Sequence, residues 1–295
     1  MGSLTVLALF LSYSMLGVCD LSTDGCFTLG AAVGAVVALA GHPWLSIPAA
    51  MGAGMLSGFV TALLQTRMGV DSLLAGIVVN TGLYSINIAI MGGASLLNMN
   101  KTETVFTAVK ALLAATPLAP YYKTVVALLA VLLALVFLTL FLRTRLGLAI
   151  RATGDNIDML RASSVNPAFT TLVGLCASNA LTGLSGCLLA QAQKSVNIDI
   201  GSGMVTIALA SLLMGRAFAP NGGIPRRAAG AVLGAVVFRL VYALALRLNM
   251  PAFMLKLVSS VIVIFAIAGP YMKARYPELH RRLSHKYGKG GGARA

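Results

Sequence analysis

The residues best equipped for chemistry in this chain are few, and each sits in apolar surroundings. Asp20 and Asp24 flank the break Asp20-Leu-Ser-Thr-Asp-Gly25 between two apolar runs, with Ser22 between them. Asn197 and Asp199 open a second break, Asn197-Ile-Asp-Ile-Gly-Ser-Gly203, ahead of another apolar run. Arg239 stands in the middle of Gly234-Ala-Val-Val-Phe-Arg-Leu-Val-Tyr242. A charge in such a setting costs several kcal/mol to bury unless it is paired or solvated, so these groups are functional candidates by default. The chemistry open to them is coupling to an ion or polar contact with a passing solute. Asn80 and Asn87 are seven residues apart and share a helix face; they can bond a solute or bond a neighbouring helix. Arg239 can pair with Asp20, Asp24 or Asp199, or meet a solute carboxylate. Asp20, Ser22, Asp24, Asn80, Asn197 and Asp199, with Arg239, are therefore the residues expected around a polar cavity.

Other chemistries are not supported. There is no Gly-x-x-x-x-Gly-Lys-Ser/Thr phosphate loop, and Gly288-Lys-Gly-Gly-Gly292 is not one. The three histidines (His42, His280, His285) are loop or tail residues and suggest no Ser/His/Asp constellation. The four cysteines (Cys19, Cys26, Cys176, Cys187) lie in or beside apolar runs without Cys-x-x-Cys spacing, so they read as structural thiols and not as metal ligands. No cofactor, metal or catalytic residue is expected, and the chain does not read as an enzyme. The net charge of +14 raises nucleic acid as a partner, but its distribution argues against that. Fifteen of the 22 Lys/Arg fall at Arg67, in residues 143–161, in residues 216–227 and after Tyr271, the pattern of cytoplasmic loops in a lipid bilayer.

The elements that must position these residues are apolar runs near the length of a membrane span. The 295 residues are 58% hydrophobic and only 10% charged, where a soluble domain carries about 25% charged residues. The runs are Leu4–Cys19, Cys26–Gly41, Ile47–Thr66, Ser72–Met91, Thr124–Leu142, Ala168–Gln191, Met204–Met214, Ala228–Leu248 and Ala252–Gly269. They predict an all-α integral membrane protein, a polytopic bundle of about eight or nine transmembrane helices. Nine runs put the N-terminus outside and the C-terminus inside; eight spans result if the first two form one broken span plus a half-helix. Residues 1–270 would be the transmembrane domain and 271–295 a basic cytoplasmic tail, partly disordered. The polar stretch Gly92–Tyr122 fits the outer side. Gly30-x-x-x-Gly34 and Gly54-x-x-x-Gly58 put small residues on one face and permit close helix packing. The break at 20–25 is either a surface loop or the unwound centre of a discontinuous helix, which is tolerated at depth only under cover of protein or water. The second break echoes it and suggests an internal repeat.

Residues 143–167 form a charged island between two of the apolar runs. Thr153–Ala162 predicts a short helix, stopped by Asn166-Pro167, and a polar helix held between spans suggests a contact in the cytoplasm. The stretch Leu146-Gly-Leu-Ala-Ile-Arg-Ala-Thr-Gly-Asp-Asn-Ile-Asp-Met-Leu-Arg-Ala-Ser-Ser-Val-Asn166 resembles the coupling segment of ABC-importer permeases of the branched-chain amino-acid and ribose class. Gly147, Arg151, Ala152, Gly154, Asn156, Val165 and Asn166 match its pattern, while Ser164 stands where Gly is common. Asp20-Leu-Ser-Thr-Asp-Gly-Cys-Phe-Thr-Leu-Gly30 resembles a further segment of that class with one residue inserted. Leu74-Ala-Gly-Ile, Leu83–Gly92, Leu189–Gln193 and Ala243–Pro251 resemble the subfamily paired with aromatic amino-acid-type binding proteins. One departure is Gly215-Arg216, where that subfamily often carries Gly-Glu.

The resemblance covers nearly the whole chain. It implies a permease subunit of the cytoplasmic (inner) membrane, working as a pair, with two separate ABC ATPase subunits and an extracytoplasmic solute-binding protein. It implies alternating access driven by ATP, with a short cytoplasmic coupling helix and Thr153, Gly154, Asp155, Asn156, Asp158, Met159 and Arg161 at the ATPase contact. An amino acid is the favoured solute through the subfamily, with sugars and nucleosides open. The rival reading is an ion-coupled secondary transporter using Asp20, Asp24 and Asp199, and a third is a membrane scaffold without a connected cavity.

Overall fold

The computed structural model describes residues 1–112, 119–218 and 222–247, with isolated helical positions at 257, 260, 261 and 264. The expected turn at Asn249-Met-Pro251, most of the expected span Ala252–Gly269 with Lys256, and the tail 271–295 lie outside the described residues.

Eleven α-helices are present among the described residues. Helix α1 (Gly2–Leu9) continues as a π-helical turn, Phe10–Met15, and α2 is Thr23–Leu39. Then follow α3 (Ser46–Arg67), α4 (Ser72–Ile90), strand β1 (Leu96–Asn98) and α5 (Val105–Leu112). Helices α6 (Tyr122–Arg143), α7 (Arg145–Asp155), α8 (Ile157–Ala162) and α9 (Pro167–Gln193) lead to β2 (Ser195–Asn197). Helices α10 (Met204–Phe218) and α11 (Ile224–Arg247) complete the order. Helices α3, α4, α6, α9 and α11 are long and apolar enough to cross a membrane, while the first helix, α2 and α10 are shorter and apolar. The molecule is thus a polytopic helical membrane protein, and eight of the nine expected apolar runs are helices where they were expected.

Helix α9 is the most buried of the long helices and α6 the least, so the bundle is assembled on α9. The small-residue motifs explain how. A Cβ on Gly30 of α2 would overlap the backbone of Gly183, and one on Gly34 would meet Cys187, 2.5 Å from its Sγ. On α3, Gly54 abuts the Asn179 carbonyl and Gly58 lies against Leu175. Both motifs therefore grip one helix from two sides, the close approach that packing without a hydrophobic driving force requires. Helix α1 is apolar all round because it is enclosed: Leu4–Leu16 share a core with Leu175 and Leu181 of α9, Leu138 of α6, Leu212 of α10 and Ala231 of α11.

Two expectations need correction. The fold is not wholly helical, because β1 and β2 pair antiparallel, with Leu97 opposite Val196. Strands of three residues are too short to show a period, which is why they could not be read beforehand. The helix expected over Thr153–Ala162 is divided at Asn156, whose backbone is extended (φ −160°, ψ 105°). Its side-chain oxygen accepts from the backbone N–H of Asp158 and Met159, so Asn156 ends α7 and caps α8.

Candidate functional site

The chain leaves the helical turn at Met15 and does not resume a helix until Thr23. This break is covered: Asp20, Ser22 and Thr23 are all buried. Asp20 Oδ1 accepts from the backbone N–H and the hydroxyl of Ser22, at 2.8 and 2.5 Å, and its Oδ2 accepts from Asn179 Nδ2 at 2.8 Å. Thr61 of α3 donates its hydroxyl to Ser22 Oγ at 3.2 Å. A buried carboxylate is tolerable when its lone pairs are filled in this way. The break is thus enclosed by protein, the condition under which a discontinuous helix is tolerated at depth, and Asp20, Ser22 and Thr23 are not part of an exposed loop. Asp20 and Ser22 brace the break and do not line the cavity beside it.

That cavity, of about 420 Å³, brings together Asp24, Asn80 and Asp199 of the expected set, with Thr28, Tyr84, Asn87 and Ser202 among its other lining residues. Asp24 joins the two breaks. Its Oδ2 accepts from Gly203 N at 2.9 Å and its Oδ1 from Val205 N at 2.8 Å, so it caps the N-terminus of α10 from the first turn of α2. Asn87 donates Nδ2 to the Gly25 carbonyl at 3.2 Å, the interhelical alternative, yet its buried Oδ1 has no partner among the described residues. Asn80 lines the cavity, its Oδ1 lying against Gly25. Asp24 and Asp199 are the charged lining residues, so the wall is acidic and rich in acceptors. It favours N–H donors and cationic groups.

Asn197 and Arg239 do not line this cavity. Asn197 lies in β2, exposed, and its side-chain oxygen accepts from Asp199 N at 3.2 Å. Arg239 is exposed on α11, with its guanidinium against Gly2. It does not form the ion pair expected with Asp20, Asp24 or Asp199: α11 packs on α1, while Asp20 and Asp24 are satisfied by Asn179 and by α10. The ion pair found among the described residues is Arg161–Asp158, at 3.7 Å on the surface of α8.

The seven residues expected at the ATPase contact divide. Asp155, Asn156, Asp158, Met159 and Arg161 are exposed, as is Gly154 on one side. Thr153 is turned inward and only 5% exposed, its hydroxyl 2.7 Å from that of Thr170 on α9. It fastens α7 to α9 and is not on the exposed face. Gly154 packs against the Met15 carbonyl and Leu16, leaving no room for a Cβ. The island is therefore seated on the chain just ahead of the break.

Sequence reasoning missed Asn179, Thr61 and Tyr84 as site residues. Tyr84 was legible, because Asn80, Tyr84 and Asn87 recur at four and seven residues on one face. Asn179 offered only the signal of a lone amide within an apolar run. Nothing marked Thr61.

A family model described as "Branched-chain amino acid transport system / permease component" matches residues 2–267. A protein of Clostridioides difficile (strain R20291) named tyrosine transport system permease protein is 29% identical over 267 residues, covering 90% of this chain and 86% of its own length. An uncharacterized protein of Rickettsia prowazekii (strain Madrid E) is 30% identical over 213 residues, covering 72% of this chain and 71% of its own length. No solved structure matches the chain.

Proposed function

The chain belongs to the family of branched-chain amino acid transport system permease components, and from that membership we propose that it carries an amino acid across the cytoplasmic membrane by alternating access. As a permease component of an ABC transporter it is a non-catalytic transport subunit. The family implies partnership with an ABC ATPase and a solute-binding protein. In the proposed assembly two copies of this chain stand over two ATPase subunits and receive solute from an extracytoplasmic binding protein. The coupling segment 143–167 and the C-terminal tail 271–295 face the cytoplasm, and residues 1–270 form the translocating domain.

One observation carries this reading: Gly154 of the coupling segment is seated on the Met15 carbonyl. Met15 leads through Leu16 to Asp20, Asp20 is held by Asn179, and Asp24 holds the N-terminus of α10 at the cavity wall. A displacement of α7 and α8 by the ATPase is thereby passed to the break and on to the cavity. ATP biases the equilibrium because its binding closes the partner, which distinguishes the two states. The solute assignment is supported by the relative named for tyrosine transport and by an acidic cavity suited to an ammonium group.

Purification from cells that also produce the candidate ATPase tests the proposal. An ATPase that stays bound, with hydrolysis stimulated by a loaded binding protein, supports it. Uptake by the isolated chain under an ion gradient would transfer the assignment to a secondary transporter.

A further inference from the structure

A second polar cluster lies apart from the cavity, where the end of the first helix meets α10 and α11. Arg216, in the last turn of α10, and Arg227, in the first turn of α11, both donate Nη2 to Ser14 Oγ, each at 3.3 Å. The two guanidinium nitrogens are thus within twice that distance of one another. Like charges so close repel unless an anion lies between or beside them. No carboxylate among the described residues forms an ion pair with either one. Ser14 supplies one hydroxyl to two forks, and most of the ten N–H donors have no other partner among the described residues. Arg216 also lies over the ring of Tyr13, 5.9 Å from its centroid, so a half-exposed aromatic forms the floor beneath the charge.

We propose that Arg216, Arg227 and Ser14 form a binding site for the phosphate of an anionic phospholipid headgroup. The chemistry fits a phosphodiester, because two guanidinium forks present paired donors to its oxygens. The setting fits a lipid and not a solute. The site opens at helix ends flanked by apolar faces, with Leu233 of α11 exposed one helix turn and more beyond Arg227. An aromatic ring beside basic residues is the usual furniture of a membrane interface, and basic pockets between helices on the cytoplasmic side take acidic headgroups. That side is the one assigned under the proposed function, so the leaflet rests on that reading, while the site itself rests on the geometry.

The test is lipid enrichment around the full chain in bilayers of mixed phosphatidylcholine and phosphatidylglycerol. Native mass spectrometry of the released protein counts the phosphatidylglycerol retained. Each guanidinium contributes about fivefold, so R216Q/R227Q should lose roughly 25-fold in phosphatidylglycerol preference. R226Q, which removes an adjacent charge that does not reach Ser14, should lose less than R216Q. The single variant R216Q, at an exposed position, should lose about fivefold and decides the matter if the double variant does not fold. Unchanged enrichment in R216Q overturns the proposal, as does an equal loss in R226Q, which would mean bulk charge alone. Protection of the chain against thermal unfolding by inorganic phosphate in pure phosphatidylcholine, equal to that given by phosphatidylglycerol, would also overturn it by assigning the site to a soluble anion. Lipid retention does not depend on transport, so its failure leaves the permease reading intact, and loss of ATPase binding leaves the lipid site intact.

Discussion

Asn179 donates its Nδ2 to Asp20 Oδ2 at 2.8 Å, and both side chains are buried. The bond ties the unwound segment before α2 to the middle of α9, the helix on which the bundle is built. Asn179→Ala would leave one carboxylate oxygen without a donor in a closed site. A hydrogen bond to a charged group is worth about 1.5–3 kcal/mol, so the substitution should destabilise the purified protein by roughly 2 kcal/mol. Thermal unfolding in detergent measures this. A melting curve unchanged from the parent would mean that the break is held by Ser22 alone.

Asp24 separates capping from charge. Asp24→Ala removes the acceptor that Gly203 and Val205 share, and loss of a helix cap costs about 1 kcal/mol. Asp24→Asn keeps one acceptor oxygen and should recover much of that stability while still removing a negative charge from the cavity. Uptake in reconstituted vesicles should fall in both variants if the charge serves the solute. Normal uptake by Asp24→Asn would restrict Asp24 to its capping role.

Ser164 lies between α8 and α9 with φ at 59°, the left-handed region that favours glycine. The coupling-segment pattern that this stretch resembles commonly has glycine there, and the backbone supplies a reason. Strain at such a position costs on the order of 1 kcal/mol. Ser164→Gly should therefore raise stability by up to about 1 kcal/mol, read from the same unfolding curves. A clear loss of stability would show that the serine side chain contributes more than the strain removes.

Much of this architecture was legible because apolar length and small-residue spacing are properties of local sequence. The runs became helices, and Gly30, Gly34, Gly54 and Gly58 became contact points because a missing Cβ has the same effect wherever the partner lies. Asp20 and Asp24 were legible as exceptional, but not their division of labour. That division depends on Asn179 and on the N-terminus of α10, both more than 150 residues away in sequence. Arg239 misled for a related reason: its place within an apolar run implied a buried partner, whereas α11 turns that side chain outward beside Gly2. The pairing of β1 with β2 joins two segments that carry no period of their own.

In the proposed assembly residues 143–167 pose one remaining choice, whether they only dock the ATPase or also transmit its motion, and two substitutions separate these. Asp158 is on the outward face of α8, with 92% of its side chain exposed, so Asp158→Lys reverses charge at the proposed contact and leaves the fold intact. It should release the ATPase during co-purification. Gly154 has one side against the Met15 carbonyl, so Gly154→Val must displace α7 from the start of the break, at a strain of about 1–3 kcal/mol. The outward face of α8 is unaltered by it. The ATPase should then still co-purify, while hydrolysis stimulated by the loaded binding protein falls by roughly tenfold or more, the equivalent of about 1.4 kcal/mol in the coupling step. If Gly154→Val retains full stimulation, the packing on Met15 carries no motion, and the path from the coupling segment to Asp20 has to be abandoned. If both variants lose the ATPase alike, the segment is a dock whose shape depends on Gly154, and transmission must be sought elsewhere in the bundle.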